Sequence, residues 1–283
     1  MSAADGAKAA VATVPMKVGA WIDCPLTSID AEYVRRLRAT GITTAAIMTN
    51  KSTAIRSAEP WRLLAPETTI IRAANAFRAG GMDVVLTCWP RPSKSQIALL
   101  AASMTGLMRD AKAIALEVDL EANWHHRYLD GFKSMKAAAA HLVDTLRTVA
   151  NGARVEVTTF PGHAEARPGA LVSPHVDALI PQAYSVRNRS HGKIAWDDEL
   201  GPGRIQRMSY ENAIATGCPR VAMGLAAYDQ AWPGHTIGEA MSVAIDTTRA
   251  LGCGEIRYWS SKHIVGKFGQ QTVRKAISQG TRS

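Results

Sequence analysis

The chain has 283 residues, enough for a full hydrophobic core, and its 47% hydrophobic and 20% charged residues are the balance of a globular domain rather than a disordered or fibrous one. A formal net charge of +9 favours polyanionic partners such as anionic cell-wall polymers, yet no block of five or more basic residues is present, which argues against a nucleic-acid-binding tail. Cys24, Cys88, Cys218 and Cys253 show neither a CxxC pair nor clustered Cys/His spacing, against a zinc site or a disulfide framework, and no apolar stretch has the length of a membrane span.

Residues 1–16 are small and Ala-rich, without the basic and apolar segments of a secretory signal. They are expected to form a flexible leader, able to dock to a larger assembly, ahead of one domain over 17–283. Apolar runs bounded by turn residues predict strands at Val18–Asp23, Thr43–Thr49, Asp83–Trp89, Ala113–Glu121, Arg154–Phe160, Ala178–Tyr184, Val221–Tyr228 and Glu255–Ser260. Helical patterns lie between them: Ile29–Thr40 capped by Ser28, a helix from Ser93 to about Lys112, and Gly131–Ala150 opened by Asp130 and stopped by Asn151-Gly152. Arg204–Gly217, Ile237–Leu251 and Val265–Ser278 complete the set. Eight β/α units in one chain, with no Gly-rich phosphate loop after the first strand and no dividing linker, predict an α/β fold, a single (β/α)8 TIM barrel. A doubly wound open sheet is the structural alternative.

Barrel active sites lie at the carboxyl ends of the strands, and those ends are rich here. They carry Trp21 and Asp23, Trp89, Glu121 with Trp124 and His125-His126 beyond it, Gln182 and Tyr184, Tyr228, Asp229 and Trp232, and Trp259. Any one of these tryptophans is explained as core filler. Five of the seven at one rim point instead to a saccharide, whose C–H faces stack on rings while its hydroxyls meet acids and amides. Trp21, Trp89, Trp124, Gln182, Tyr228, Asp229, Trp232 and Trp259 are the predicted substrate-binding set.

The strongest chemical signal is Glu117, Asp119 and Glu121, at alternate positions of one apolar strand and therefore on one face of it. Burying like charges at that spacing is costly unless they are paired, protonated or used, and a row of them raises the pKa of one member. Glu121, outermost, is placed as a general acid; Asp119 is one pleat deeper, able to hold a substrate amide or share a proton. Glu117 reads as structural, paired with the inward-facing Arg257 of strand eight by strand parity. Glycoside hydrolysis uses such a carboxyl pair; a buried polar network without chemistry is the bland alternative.

The Glu117-Val118-Asp119-Leu120-Glu121 run resembles the Asp-x-Asp-x-Glu signature of the family eighteen chitinases, with Glu in place of the first Asp. Gln182-Ala183-Tyr184, Gly224–Tyr228 with Trp232, and Trp259 extend the resemblance, whereas Ser185 stands where an Asp is usual and strand three lacks a Ser/Gly-rich end. The resemblance implies a sugar whose own N-acetyl group attacks the anomeric carbon, surrounded by Glu121 as acid, Asp119, Tyr184 and Trp259. The chain is also similar to the family twenty-five muramidases, through Asp23, Asp119, Glu121 and Asp229; there Asp23 is the alternative nucleophile. Both families act on polymers of N-acetylated hexosamines.

No metal or cofactor is expected, because adjacent histidines such as His125-His126 diverge in either a strand or a helix and no third ligand is organised near them. Lys51 as a Schiff-base lysine is a minor alternative. Arg187, Arg189, Lys193 and Arg204 form either a solvated face or a contact to an acidic polymer. The expectation is a retaining glycoside hydrolase on β-1,4-linked N-acetylhexosamines, made in the cytoplasm without a signal peptide and delivered to its polymer by a partner. Peptidoglycan cut in the lysozyme manner is the leading substrate. A chitinase-like enzyme or a non-catalytic saccharide-binding barrel is the alternative; a polysaccharide is the expected partner, beside the assembly to which the leader can dock, with no nucleic acid and no membrane span.

Overall fold

The computed structural model describes residues 16–50, 62–121, 124, 126–160, 168–184, 203–227 and 236–280. Its strands are β1 (Lys17–Ile22), β2 (Thr44–Met48), β3 (Asp83–Cys88), β4 (Ala115–Asp119), β5 (Arg154–Thr159), β6 (Ala178–Pro181), β7 (Met223–Ala226) and β8 (Glu255–Trp259). They pair in parallel in the order β6-β5-β4-β3-β2-β1-β8-β7. Single parallel bridges Leu179–Val221 and Gln182–Gly224 join the two ends, so that eight strands close into a TIM barrel. Each predicted strand is present; all end earlier than expected, where the chain leaves the ladder, and β1 begins one residue sooner, at Lys17. In β4 the ladder stops at Asp119, and the Trp124 N–H donates to the Glu121 carbonyl (2.9 Å), a turn that lifts Glu121 just past the strand.

The helices are α1 (Ala31–Arg38), α2 (Glu67–Ala79), α3 (Lys94–Asp110), α4 (Met135–Ala150), α5 (Pro168–Val172), α6 (Arg204–Ala215), α7 (Ile237–Ala250), α8 (Ser261–Val265) and α9 (Lys267–Gly280). Caps move two of the predicted starts. Asp30, not Ser28, opens α1 by accepting the Tyr33 N–H (2.7 Å), because the Ser28 hydroxyl is spent on the Pro25 carbonyl (2.7 Å). Ser134 opens α4 through the Ala137 N–H (3.1 Å), while Asp130 accepts from Ser93 Oγ (2.9 Å) instead of starting a helix. Asn151 ends α4 in the left-handed region at φ 46°. The sequence reading had not singled out α2, although its buried Ile70, Ala73, Ala74 and Phe77 keep the i, i+3, i+4, i+7 spacing of an amphipathic helix.

Strand alternation sends side chains into two layers. Ala20 and Ile22, Leu86 and Cys88, Leu116, Val118 and Leu120, and Val155 and Val157 face the helices in the outer core. Trp21, Ala46, Val85, Ala115, Ile180 and Ala222 fill the barrel, together with the buried charged residues Glu117, Glu156, Glu255 and Arg257. The β6–β7 seam crowds this interior. A Cβ on Gly224 would stand 3.0 Å from the Pro181 carbonyl and 3.2 Å from Trp21 Cη2, so a residue without a side chain lets the indole lie against the seam. No described helix is long and apolar enough to cross a membrane.

Candidate active site

The three carboxylates of the β4 run sit in three different environments, graded by depth. Glu117 is fully buried and accepts from Trp21 Nε1 (2.6 Å), from Thr87 Oγ1 (2.9 Å) and from Arg257 Nη1. The pairing inferred from strand parity is thus formed. Arg257 goes on to Glu156 Oε2 (3.0 Å) and Glu255 Oε1 (2.5 Å). Arg220 ties the same two glutamates (2.7 and 3.1 Å), and Arg154 Nε adds a bond to Glu156 (2.9 Å). Three glutamates and three arginines therefore balance beneath the site. Burial pulls the Arg257 guanidinium toward losing its proton, but the charges of Glu117, Glu156 and Glu255 outweigh it and hold its pKa well above the ordinary value. Burial raises the Glu117 carboxyl, and the Arg257 charge, with the Trp21 and Thr87 bonds, pulls back against it.

One pleat outward, no arginine among the described residues is paired with the next carboxylate. Asp119 is buried, and Gln182 Nε2 donates to its Oδ1 (3.1 Å). Burial pushes the Asp119 carboxyl well above its ordinary value; the nearby charges of Glu121 and Glu117 push the same way, and the Gln182 bond opposes them. Glu121, half-buried at the rim, is also raised by burial, again against a hydrogen bond from Gln182. Gln182 thus serves both outer carboxyls. Burial and the adjacent like charge both favour keeping a proton on the pair, and Glu121 is the member at the rim.

The remaining predicted residues separate clearly. Tyr184 is half-buried against the inner cluster, its N–H on the Gln182 carbonyl (2.7 Å). Trp259 is half-buried, its ring centroid 6.2 Å from that of Trp21 and tilted by 58°. Trp89 is half-buried and bracketed by Asn50, whose Oδ1 accepts its N–H (2.7 Å) and whose Nδ2 donates to its carbonyl (3.1 Å). Two predicted sugar-stacking rings are corrected. Trp21 is 2% exposed, its indole directed into the barrel where Glu117 takes its N–H; Trp124 is 3% exposed, folded back into the outer core beneath the Glu121 turn. Neither offers a face to a sugar.

Asp23 is engaged by α8: Lys262 Nζ lies 2.9 Å from its Oδ2, and Ser261 Oγ and the Lys262 N–H both lie 3.3 Å from its Oδ1. Tyr228, Asp229, Trp232, His125, Lys51, Arg187, Arg189 and Lys193 lie outside the described residues. Sequence reasoning missed Glu156 and Glu255, although both share the inward parity that found Arg257. It also passed over Phe160, which follows β5 and is 47% exposed; continued by two residues, the Asp119–Thr158 register brings Phe160 level with Glu121. Its signal in the sequence was its place at a strand end.

Comparison with protein-family models and with curated protein sequences finds no match. Solved structures do match. The catalytic domain of a hyperthermophilic chitinase from Pyrococcus furiosus superposes with a TM-score of 0.64 at 12% identity, covering 95% of this chain and 97% of that one. A chitinase from Chromobacterium violaceum gives 0.62 at 12% identity, over 95% and 99%. The spore cortex-lytic enzyme SleL of Bacillus cereus gives 0.61 at 11% identity, over 93% and 75%. The family twenty-five resemblance rests on the motif residues alone. The fold of this chain is the (β/α)8 barrel that these chitinase structures also adopt.

Proposed function

We propose that the protein is a retaining glycoside hydrolase that cleaves β-linked N-acetylhexosamine chains after N-acetylglucosamine, with the substrate's own acetamido group as nucleophile. The observation that carries this reading is the pair of buried Asp119 and half-buried Glu121, both raised in pKa and served by one amide, Gln182, at the carboxyl end of β4. Glu121 in its protonated form gives its proton to the glycosidic oxygen as the C1–O bond breaks. The acetamido oxygen closes on C1, and Asp119 accepts the acetamido N–H, stabilising the positive charge of the cyclic intermediate. The Glu121 carboxylate then takes a proton from water as that water attacks C1 from the face the leaving group left, so configuration is retained. Tyr184 and Trp259 are the polar and apolar walls for the same sugar.

Asp23 supplies the nucleophile less well in this arrangement, because its two oxygens are engaged by the Lys262 ammonium (2.9 Å), the Ser261 hydroxyl and the Lys262 N–H. The expected lysozyme-like cut after N-acetylmuramic acid accordingly gives way to the chitinase-like one, in line with the chitinases among the matching structures. Peptidoglycan stays within the substrate class, since a cortex-lytic enzyme shares the fold.

Mass spectrometry of products from chitin oligomers and from peptidoglycan tests the proposal. New reducing ends at N-acetylglucosamine are expected, lost by about 10²–10⁴-fold in Glu121→Gln. Reducing ends at N-acetylmuramic acid would restore the muramidase reading, and a glycosyl-enzyme trapped on Asp23 would overturn substrate assistance.

A further inference from the structure

Gln182, which its sequence context places among the substrate-binding residues, turns its amide to the acids instead. The residue is 6% exposed; its Nε2 donates to Asp119 Oδ1 (3.1 Å), and the same amide hydrogen-bonds Glu121. Its backbone is fixed on both sides. The Gln182 N–H donates to the Thr159 carbonyl of β5 (2.8 Å), the Gln182 carbonyl accepts the Tyr184 N–H (2.7 Å), and the residue bridges to Gly224 of β7. A Cβ on Gly224 would stand 3.1 Å from the Gln182 Cα, so a glycine there lets β7 come this close. Of the two bridges between β6 and β7, the one nearer the carboxyl ends therefore anchors the residue that reaches both outer acids.

A primary amide carries two N–H donors and no charge. It favours the ionised form of each carboxyl without forcing either to ionise. In the proposed reaction the carboxylate in need of a donor changes: Asp119 is ionised as the bond begins to break, and Glu121 becomes so on giving up its proton while Asp119 meets the acetamido N–H. A donor held within reach of both acids leaves neither carboxylate without a partner during that change. The titratable groups around the pair are Glu117 on the same strand and Glu156 of β5, both held by Arg257 of β8, Cys88 at the end of β3, and Tyr184 two residues beyond Gln182. Burial, with the charges of Glu117 and Asp119, pushes the Cys88 thiol up, so it stays neutral.

We infer that Gln182 is a positioning residue: its amide orients Asp119 and Glu121 toward one another and follows the negative charge from the first to the second, without contacting the substrate. The inference rests on the proposed hydrolase reading and adds to it the group that controls its proton.

The test is the pH dependence of N-acetylglucosamine oligomer cleavage by the full chain and by Gln182→Met, which keeps nearly the same length and volume but has no donor. The Gln182 bond lowers both carboxyls, so its loss raises both. Both limbs of the kcat profile are expected to move about one unit toward alkaline pH, with kcat at the optimum down about tenfold and KM changed by less than about threefold. Gln182→Asn, whose amide stops one methylene short, moves the limbs the same way, and thermal unfolding shows that each variant is folded. A raised KM with unmoved limbs makes Gln182 a substrate contact and overturns the inference. A lowered melting temperature with unmoved limbs overturns it too, because that is the mark of a residue that only holds the β6–β7 seam. Either result leaves the hydrolase reading standing; no cleavage by the unsubstituted protein overturns both.

Discussion

Asp119 and Glu121 hold their protons more tightly in the fold than in an unfolded chain, and that difference links catalysis to stability. Between the ordinary and the raised values the folded state binds more protons than the unfolded state, so stability falls as pH rises through that window. Asp119→Asn removes one buried titrating group and one like charge beside Glu121. The expected outcome is a gain of about 1 kcal/mol in stability at neutral pH, read by thermal unfolding, together with a large loss of kcat. The basic limb of the residual pH–rate profile should move toward acid, because Glu121 then loses its proton without a neighbouring charge to oppose it. An unchanged melting temperature and an unmoved limb would mean that Asp119 carries no such burden. The residue types and spacing of this pair were legible in the sequence. That Trp21 and Trp124 are core rather than rim was not: at the end of a strand or in the turn beyond it, a ring can face solvent, the barrel or the helices, and only packing chooses.

Among the elements, β4 and β8 depend on each other through Arg257. Glu117, Glu156 and Glu255 all contact this one buried guanidinium, and strand parity alone was enough to direct Arg257 at Glu117. Arg257→Met leaves buried carboxylates with less compensation, and a loss of about 3–5 kcal/mol is expected from denaturant unfolding. Glu117→Gln should cost less, since Arg257 keeps two carboxylates and an amide oxygen remains for Trp21 and Thr87. Equal losses would show that the three acids do not act as a set around Arg257. Helix boundaries were less legible than strand parity. Ser28 and Asp130 are good capping residues by type, yet their side chains found other partners, and Asp30 and Ser134 took the caps.

The whole molecule is a barrel with one weak seam. Seven strand pairs are continuous ladders, whereas β6 and β7 meet through two single bridges, with the Leu179 N–H on the Arg220 carbonyl (3.0 Å) and the Ala222 N–H on the Leu179 carbonyl (3.1 Å). Hydrogen exchange should find the Leu179 and Ala222 amides less protected than those of β2 and β3; equal protection would mean that the seam opens only with global unfolding. The sequence by itself determined the alternation of strands and helices, the α/β architecture and the row of acids on one strand face. Each follows from local periodicity and from the geometry of a strand. Only the tertiary structure decided that Glu156 and Glu255 join Glu117 at Arg257, which two acids share Gln182, and that Asp23 turns to Lys262. Those pairings join residues from different strands and loops, and the closure of the barrel, rather than any short stretch of chain, sets the distances between them.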